Sequence, residues 1–448
     1  MSRNIYSALL IFAAILFSFP AMTQGHNHDG HDHSGHDHSG HDHSGHDHSG
    51  HDHGSHDGHD HAAHAGGAHT PSCSDTHGDH KYDPAATAIH HISDANIWSI
   101  MEYPIPLPMI LKSDAGWDVF MSSKFHVHAA HHEDGHSSYN GYVMHEGSAY
   151  RVNQSGFPME GSVDLGPFTH GTEMVDGKER DVKYVCYNNT PYRIEQRTTL
   201  DGGVLGGGIT NFWDFSPTKN VIAMILSCLI LFFLFRGAAK KYKSNPDKAP
   251  SGTQGMLETM VVFIRDEVAI PFIGKDKYMK FFPFLLSLFF FILGLNLFGQ
   301  IPLLGSVNAT GNLTITAVLA IIVLVLVSLN GNLDYWKHIF WMPGVPTFVK
   351  PLLAVVEGMG IFIKPLTLML RLAGNISAGH IAILSFIGLI FIFGDLFGGI
   401  GSGMGLAVAT PLTLFMMAIE IIVAFVQAFV FTILTASYIG AATEEHHH

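Results

Sequence analysis

Charged side chains are scarce here, 14% of 448 residues against 47% hydrophobic. The apolar residues gather in the second half, in runs long enough to cross a bilayer. That points to a membrane protein rather than to one large soluble core. Basic residues are scarcer still, 24 against 38 acidic, giving a formal charge of −14 with the 33 histidines counted neutral. So acidic a balance excludes nucleic acid as a partner. Cysteine occurs three times. Cys228 lies inside an apolar run and reads as small packing. Cys73 and Cys186 lie outside the apolar runs, where an oxidising compartment would let them pair.

The first half also lacks long apolar runs, apart from its start. Residues 1–23 carry Arg3, an apolar stretch from Ala8 to Phe19 and the small-residue site Ala21-Met22-Thr23. This predicts a cleaved secretory signal, with a retained anchor helix as the competing reading. Residues 24–80 have almost nothing to bury. The unit Gly-His-Asp-His-Ser repeats from Gly30 to His53, and such composition predicts disorder. Its imidazoles, His31, His33, His36 and His38 among them, suit zinc, copper or nickel. A proton buffer near pH 6.5 is a second use, and a tolerated repeat expansion without a dedicated role is the third reading.

Residues 81–208 are of mixed polarity, with short β-like runs and many turn residues. The expected strands are Ile105–Leu111 (an edge strand interrupted by proline), Trp117–Met121, Val182–Cys186 and a pairing within 141–154. His126 and His128 would share a face if they lay on a strand, a second possible metal pair beside ordinary surface histidines. The glycines of 201–208 mark a linker.

Residues 209–443 read as a membrane unit. Spans are expected over 218–235, 281–303 and 313–329, with an amphipathic interfacial segment at 253–273 whose apolar side is Met256, Met260, Phe263 and Ile264. Lys337, His338 and Lys350 fall in an inner loop. The last two apolar runs, 349–393 and 406–439, are too long. The first would be about 65 Å as a helix against a core of about 30 Å, so tilt or a kink is required, with Pro365 and Gly374 as possible bends. Arg236, Lys240, Lys241 and Lys243 after the first span place that end in the cytoplasm. The expected fold is an all-α polytopic membrane protein of five spans, the last two long and steeply tilted, plus an interfacial helix. A small β-rich or irregular exported N-terminal domain precedes it, and residues 444–448 form a cytoplasmic tail.

One stripe inside the lipid-length runs is polar. Glu357, Lys364 and Arg371 follow each other at intervals of seven, with Thr367 one turn before Arg371 and Asn375 one turn after. An arginine in mid-membrane costs roughly 3 kcal/mol on insertion scales, so it must face a partner or a water path. Glu420 and, seven residues on, Gln427 mark a second buried polar stripe. A structural salt bridge between Arg371 and Glu420 is the bland explanation; an ion path is the functional one.

The residues Leu368-x-Leu370-Arg371-Leu372-x-x-Asn375-x-x-Ala378-Gly379-His380, followed by Glu420 and Gln427, resemble subunit a of the F-type ATP synthase over roughly 211–440. The resemblance implies an inner-membrane proton channel that performs no bond chemistry and needs no cofactor. It implies two half-channels, partnership with the c-ring rotor and the peripheral-stalk subunit b, and the long tilted helices cupping the ring. Arg371 takes the family's arginine position, permanently charged and facing the rotor carboxylate. His380 and Glu420 take the positions of an acid–base pair. Asn375 and Gln427 would hold the arginine's surroundings, and Glu357 would mark the inner half-channel, with a Glu357–Lys364 ion pair as its bland alternative. Near Asn312 the family often has an Asp two residues earlier; Thr310 stands there instead. The rival function is a divalent-metal transporter fed by the histidine tract. It would need several ligands inside the spans, which offer only His380.

Overall fold

The computed structural model describes residues 73, 93–100, 103–127, 134–175, 178–200, 208–244, 249–301, 307–342 and 345–444. The expected signal segment, the repeats with His31, His33, His36 and His38, and His128 lie outside the described residues.

The N-terminal part is β-sheet. Strands β1 (Ile97–Ile100) and β2 (Tyr103–Pro106) pair antiparallel. A three-stranded sheet follows, in the order β12 (Phe212–Asp214), β3 (Pro108–Ser113), β4 (Gly116–Met121). The single edge strand expected over Ile105–Leu111 is therefore two strands in two sheets, broken at Leu107. Pro104 and Pro106 have no N–H to donate, which confines 103–106 to pairing on one side. Beyond Pro108 the chain can donate both ways and becomes the central strand. Met109 and Leu111 point into the core while Ile110 and Lys112 point out, the period of two that a half-buried strand requires.

The remaining strands are β5 (Ser137–Tyr139), β6 (Tyr142–His145), β7 (Ser148–Val152), β8 (Ser162–Asp164), β9 (Phe168–Val175), β10 (Lys178–Tyr187) and β11 (Thr190–Glu195). They form a sheet in the order β8-β5-β6-β7-β11-β10-β9. The expected hairpin within 141–154 turns at Glu146-Gly147, with φ of 49° and 70°. Two positive φ values in a two-residue turn match the twist of the flanking strands. Cys73 and Cys186 form a disulfide, which ties the chain before the sheets to β10. His126 is not on a strand. It follows a 3-10 turn, Ser122–Phe125, in the left-handed region at φ 48°, because the buried Phe125 turns the chain there. Its Nδ1 lies 2.9 Å from Ser137 Oγ.

The sheets are fastened to the first long helix, α1 (Lys219–Ser244), by a buried carboxylate. Asp94 Oδ1 accepts from the backbone N–H of Ala95 (3.1 Å) and Asn220 (3.2 Å), and Oδ2 accepts from Thr218 Oγ1 (2.8 Å). Asn220 N–H is one of the donors that a helix start leaves without an intrahelical partner, so Asp94 caps α1 from 126 residues away in sequence. Lys219 N–H also donates to Ala95 O.

Four helices are long and apolar enough to cross a membrane among the described residues. Helix α1 packs by a narrow face on α3 (Tyr278–Gly299), where a Cβ at Gly294 would come 3.0 Å from Ser227 Oγ. Between them, α2 (Thr253–Phe263) continues through a π-helical stretch, Ile264–Ala269, to Ile273. Of the apolar side read from the sequence, Ile264 is buried and Met260 and Phe263 pack on the core beside Leu257, Val268, Ala269 and Ile273, while Met256 is 56% exposed. Helix α4 (Leu313–Asn330) is capped by Asn312, whose Oδ1 accepts Thr314 N–H at 2.9 Å. A short helix, α5 (Leu333–Phe340), occupies part of the expected inner loop. Asn332 ties its start to the carbonyls of Ala442 and Thr443.

The last element, α6 (Lys350–Thr443), holds both long runs. Its one non-helical residue is Gly398, at φ 64° and ψ −149°, a conformation open to glycine. There the chain reverses. Gly394 meets Ser402, Gly405 meets Ile390, and Gly379 meets Glu420, so the arms 350–397 and 399–443 are antiparallel. The backbone keeps helical φ and ψ at Pro365 and Gly374, the positions read as possible bends, and leaves them only at Gly398. Glycine at 398 can take the positive φ of the reversal, whereas proline at 365 forfeits a ladder hydrogen bond within a run that stays helical.

Candidate functional site

The two arms of α6 sort the polar residues read from the sequence into two groups. Arg371, Asn375, Thr367 and Lys364 are exposed on the first arm. Around them Ile363, Leu366 and Leu370 are exposed as well, so the arginine sits on an apolar outer face. Among the described residues no carboxylate pairs with Arg371. Thr367 Oγ1 bonds its own helix at Ile363 O (2.9 Å).

Glu420 is turned inward and is 2% exposed. Its nearest basic group is His380, with Nε2 to Oε1 at 3.8 Å. The two residues expected to pair are thus side by side, and the bland Arg371–Glu420 bridge does not form. Both Glu420 carboxyl oxygens are buried without a hydrogen-bond partner. Gly379 makes the approach possible, since a Cβ there would come within 2.7 Å of Oε1. From the 379–420 contact, seven residues back along one arm and seven on along the other set Leu372 beside Gln427. Gln427, buried, is therefore level with the Arg371 turn.

Two unpartnered polar atoms on α3 and just beyond it extend this inner group, neither anticipated from the sequence. Asn296 is 1% exposed. Its Nδ2 donates to Ala424 O at 3.2 Å, while Oδ1 has no partner. One turn on, Gln300 Nε2 is also buried and unpartnered. An asparagine within an apolar span is a signal that intramembrane polarity could have supplied. Nearby, Ser377 Oγ donates to Gly311 O (3.3 Å) and Asn308 Oδ1 accepts Gly311 N–H (3.0 Å). Asn312 is occupied as the α4 cap.

At the other end of the arms a cavity of about 220 Å³ is lined by Tyr335, His338, Glu357, Lys364 and Glu444 with apolar neighbours. Glu357 is half-buried there. Lys364 Nζ lies 5.4 Å from the centre of the Tyr438 ring. Glu357 and Lys364 share the cavity without forming the expected bland ion pair. Tyr335 and His338 come from α5, where the sequence reading places a loop. Among the described residues no group of three or more His, Cys, Asp or Glu could hold a metal ion.

The helical half of the chain matches one known group. The family model described as ATP synthase A chain matches residues 221–440. ATP synthase subunit a of Myxococcus xanthus is 36% identical over 259 residues, covering 56% of this chain and 81% of the relative. The chain belongs to the ATP synthase subunit a family. Subunit a of Anaeromyxobacter dehalogenans strain 2CP-1 is 32% identical over 330 residues, 71% of this chain and 74% of the relative. For strain 2CP-C the figures are 36% over 241 residues, 52% of this chain and 59% of that relative. A second family model, a domain of unknown function, matches residues 87–176. The subunit a match spans α1 to α6 and agrees with a multi-pass membrane protein. The comparisons lend nothing to the divalent-metal transporter reading.

Proposed function

We propose that this chain is the proton-translocating stator subunit of an F-type ATP synthase, working against a c-ring and held by the peripheral stalk. It moves protons and makes or breaks no covalent bond of a substrate. The arrangement that carries this reading is the separation of charge across one helix. Arg371 stands on the exposed apolar face of the first arm, and the unpartnered Glu420 beside His380 lies behind it.

A rotor carboxylate has to be neutral in lipid and ionised to exchange its proton. A fixed guanidinium favours the ionised form when the carboxylate passes, and it never yields its own proton. Arg371 would thereby also separate two aqueous half-channels. In this reading Glu420, His380, Asn296 and Gln427 line the one on the exported side. The cavity with Glu357 and Lys364 forms the one on the inner side. Asn375 and Thr367 flank the arginine on the ring-facing surface. The two arms of α6 count as two spans, giving five with α1, α3 and α4, steeply tilted along the ring. Lys240, Lys241, Lys243, Lys275, Lys277, Lys280, Lys337 and Lys350 lie at the ends that become cytoplasmic. The β-sheets are then exported to the periplasmic side of the inner membrane.

Membranes carrying Arg371→Ala with the remaining subunits test this. ATP-driven acidification is expected to vanish while the complex still assembles. Normal acidification in that variant would overturn the proposal.

A further inference from the structure

The exposed apolar residues of the β region are not spread evenly. Among large apolar side chains in the described residues, the seven-stranded sheet and its internal loops expose only Met159 and Met174, and the connection from β11 to β12 exposes Leu200 and Ile209. The other two sheets expose Tyr103 (79%), Trp117 (59%) and Val119 (70%), together with Ile105, Met121 and Phe215. Trp117, Val119 and Met121 alternate along β4 and so share its outer face. Phe215 joins that face, its ring centre 5.5 Å from that of Trp117.

This surface is continuous with the membrane helix. Phe215 stands four residues before Lys219, the first residue of α1. On the neighbouring hairpin, Trp98 and Leu107 are buried in the same apolar cluster as Ala223 and Met224 of α1 and Phe298 of α3. The Asp94 cap fixes the sheets to the start of α1. The apolar face therefore has a set height relative to the span. Tryptophan and tyrosine at the end of a span suit the zone between acyl chains and headgroups, where a ring can be half in each medium. Lys112 Nζ lies 5.5 Å from the Trp117 ring centre, a cation available to lipid phosphate.

We propose that the three-stranded sheet and the β1–β2 hairpin rest on the outer leaflet, and that the occupant of this face is the lipid surface. The proposal rests on α1 being a span and on the exported side proposed for the sheets, and on nothing about proton transfer, so Arg371→Ala cannot decide it either way.

The test uses the whole complex in vesicles of phosphatidylcholine brominated near the headgroup end of its acyl chains. Trp117's emission is taken as the difference between the parent and Trp117→Phe. Brominated lipid should remove most of that difference, and Val119→Trp on the Trp117→Phe background should behave the same way. Unchanged emission at both positions would overturn the proposal. Quenching by aqueous iodide would then place the face in water, and resistance to both quenchers would place it under another subunit or a second copy.

Discussion

Asp94 and Glu420 are both buried acids, and their surroundings are opposite. Asp94 has both oxygens satisfied, by two backbone N–H groups and a hydroxyl. Glu420 has neither oxygen satisfied and a histidine at 3.8 Å. A buried polar group left without partners needs a reason. The contrast suggests one. The first acid holds two parts of the chain together; the second makes no hydrogen bond that would hold anything in place.

Four substitutions would break or sharpen that contrast. The largest effect is expected from Glu420→Gln. It should slow ATP-driven proton uptake on the order of 10²-fold, the usual worth of a positioned proton-transfer group, with little change in thermal stability. A stability loss as large as that of an Asp94 variant would mean that Glu420 is structural after all. Next, Asp94→Ala should destabilise the junction by about 2–4 kcal/mol, combining a lost cap with orphaned donors, as read by thermal unfolding of the purified protein. Proton uptake per intact complex should stay near the parent value. Third, Gly379→Ala puts a methyl group against Glu420 Oε1. The carboxylate end can swing away, so stability should hold, while uptake falls about tenfold from misplacement of the pair.

The smallest effect is a pH slope. Burial is the largest influence on Asp94 and raises its carboxyl above the ordinary 3.8, against the lowering by Thr218, Lys219, Asn220 and Arg197. The folded chain then keeps this proton to higher pH than the unfolded chain does. Asp94's contribution is full below 3.8 and declines as the pH rises through its folded value. Unfolding temperatures measured from pH 3 upward should carry this decline in the parent and lose it in Asp94→Asn.

The membrane half was legible because its physics is local. Apolar runs of span length and lone charges within them were visible at Arg371 and Glu420, and the His380–Glu420 pairing followed from the family motif. The reversal at Gly398 was not legible. Glycine is common in that stretch, and only the register between the arms selects one as the corner. The π-helical stretch after α2 was not legible either, because it carries no mark in the sequence. Asn296 could have been found, since it is polar within an apolar run. In the sheets, the prolines at 106 and 108 read as interruptions of one strand. Which strand each side of Leu107 would join depends on β1 and β12, more than a hundred residues apart. The Asp94 cap is of the same kind, a local motif completed by distant residues.

The most direct test of the account is contact between the Arg371 face and a rotor. Ala378 lies seven residues along that face and is exposed. A cysteine placed there by Ala378→Cys, with Cys228→Ser, should form a disulfide with a cysteine beside the rotor carboxylate under mild oxidation of assembled membranes. Failure to cross-link, with the introduced thiol open to a lipid-soluble maleimide in the intact complex, would contradict it.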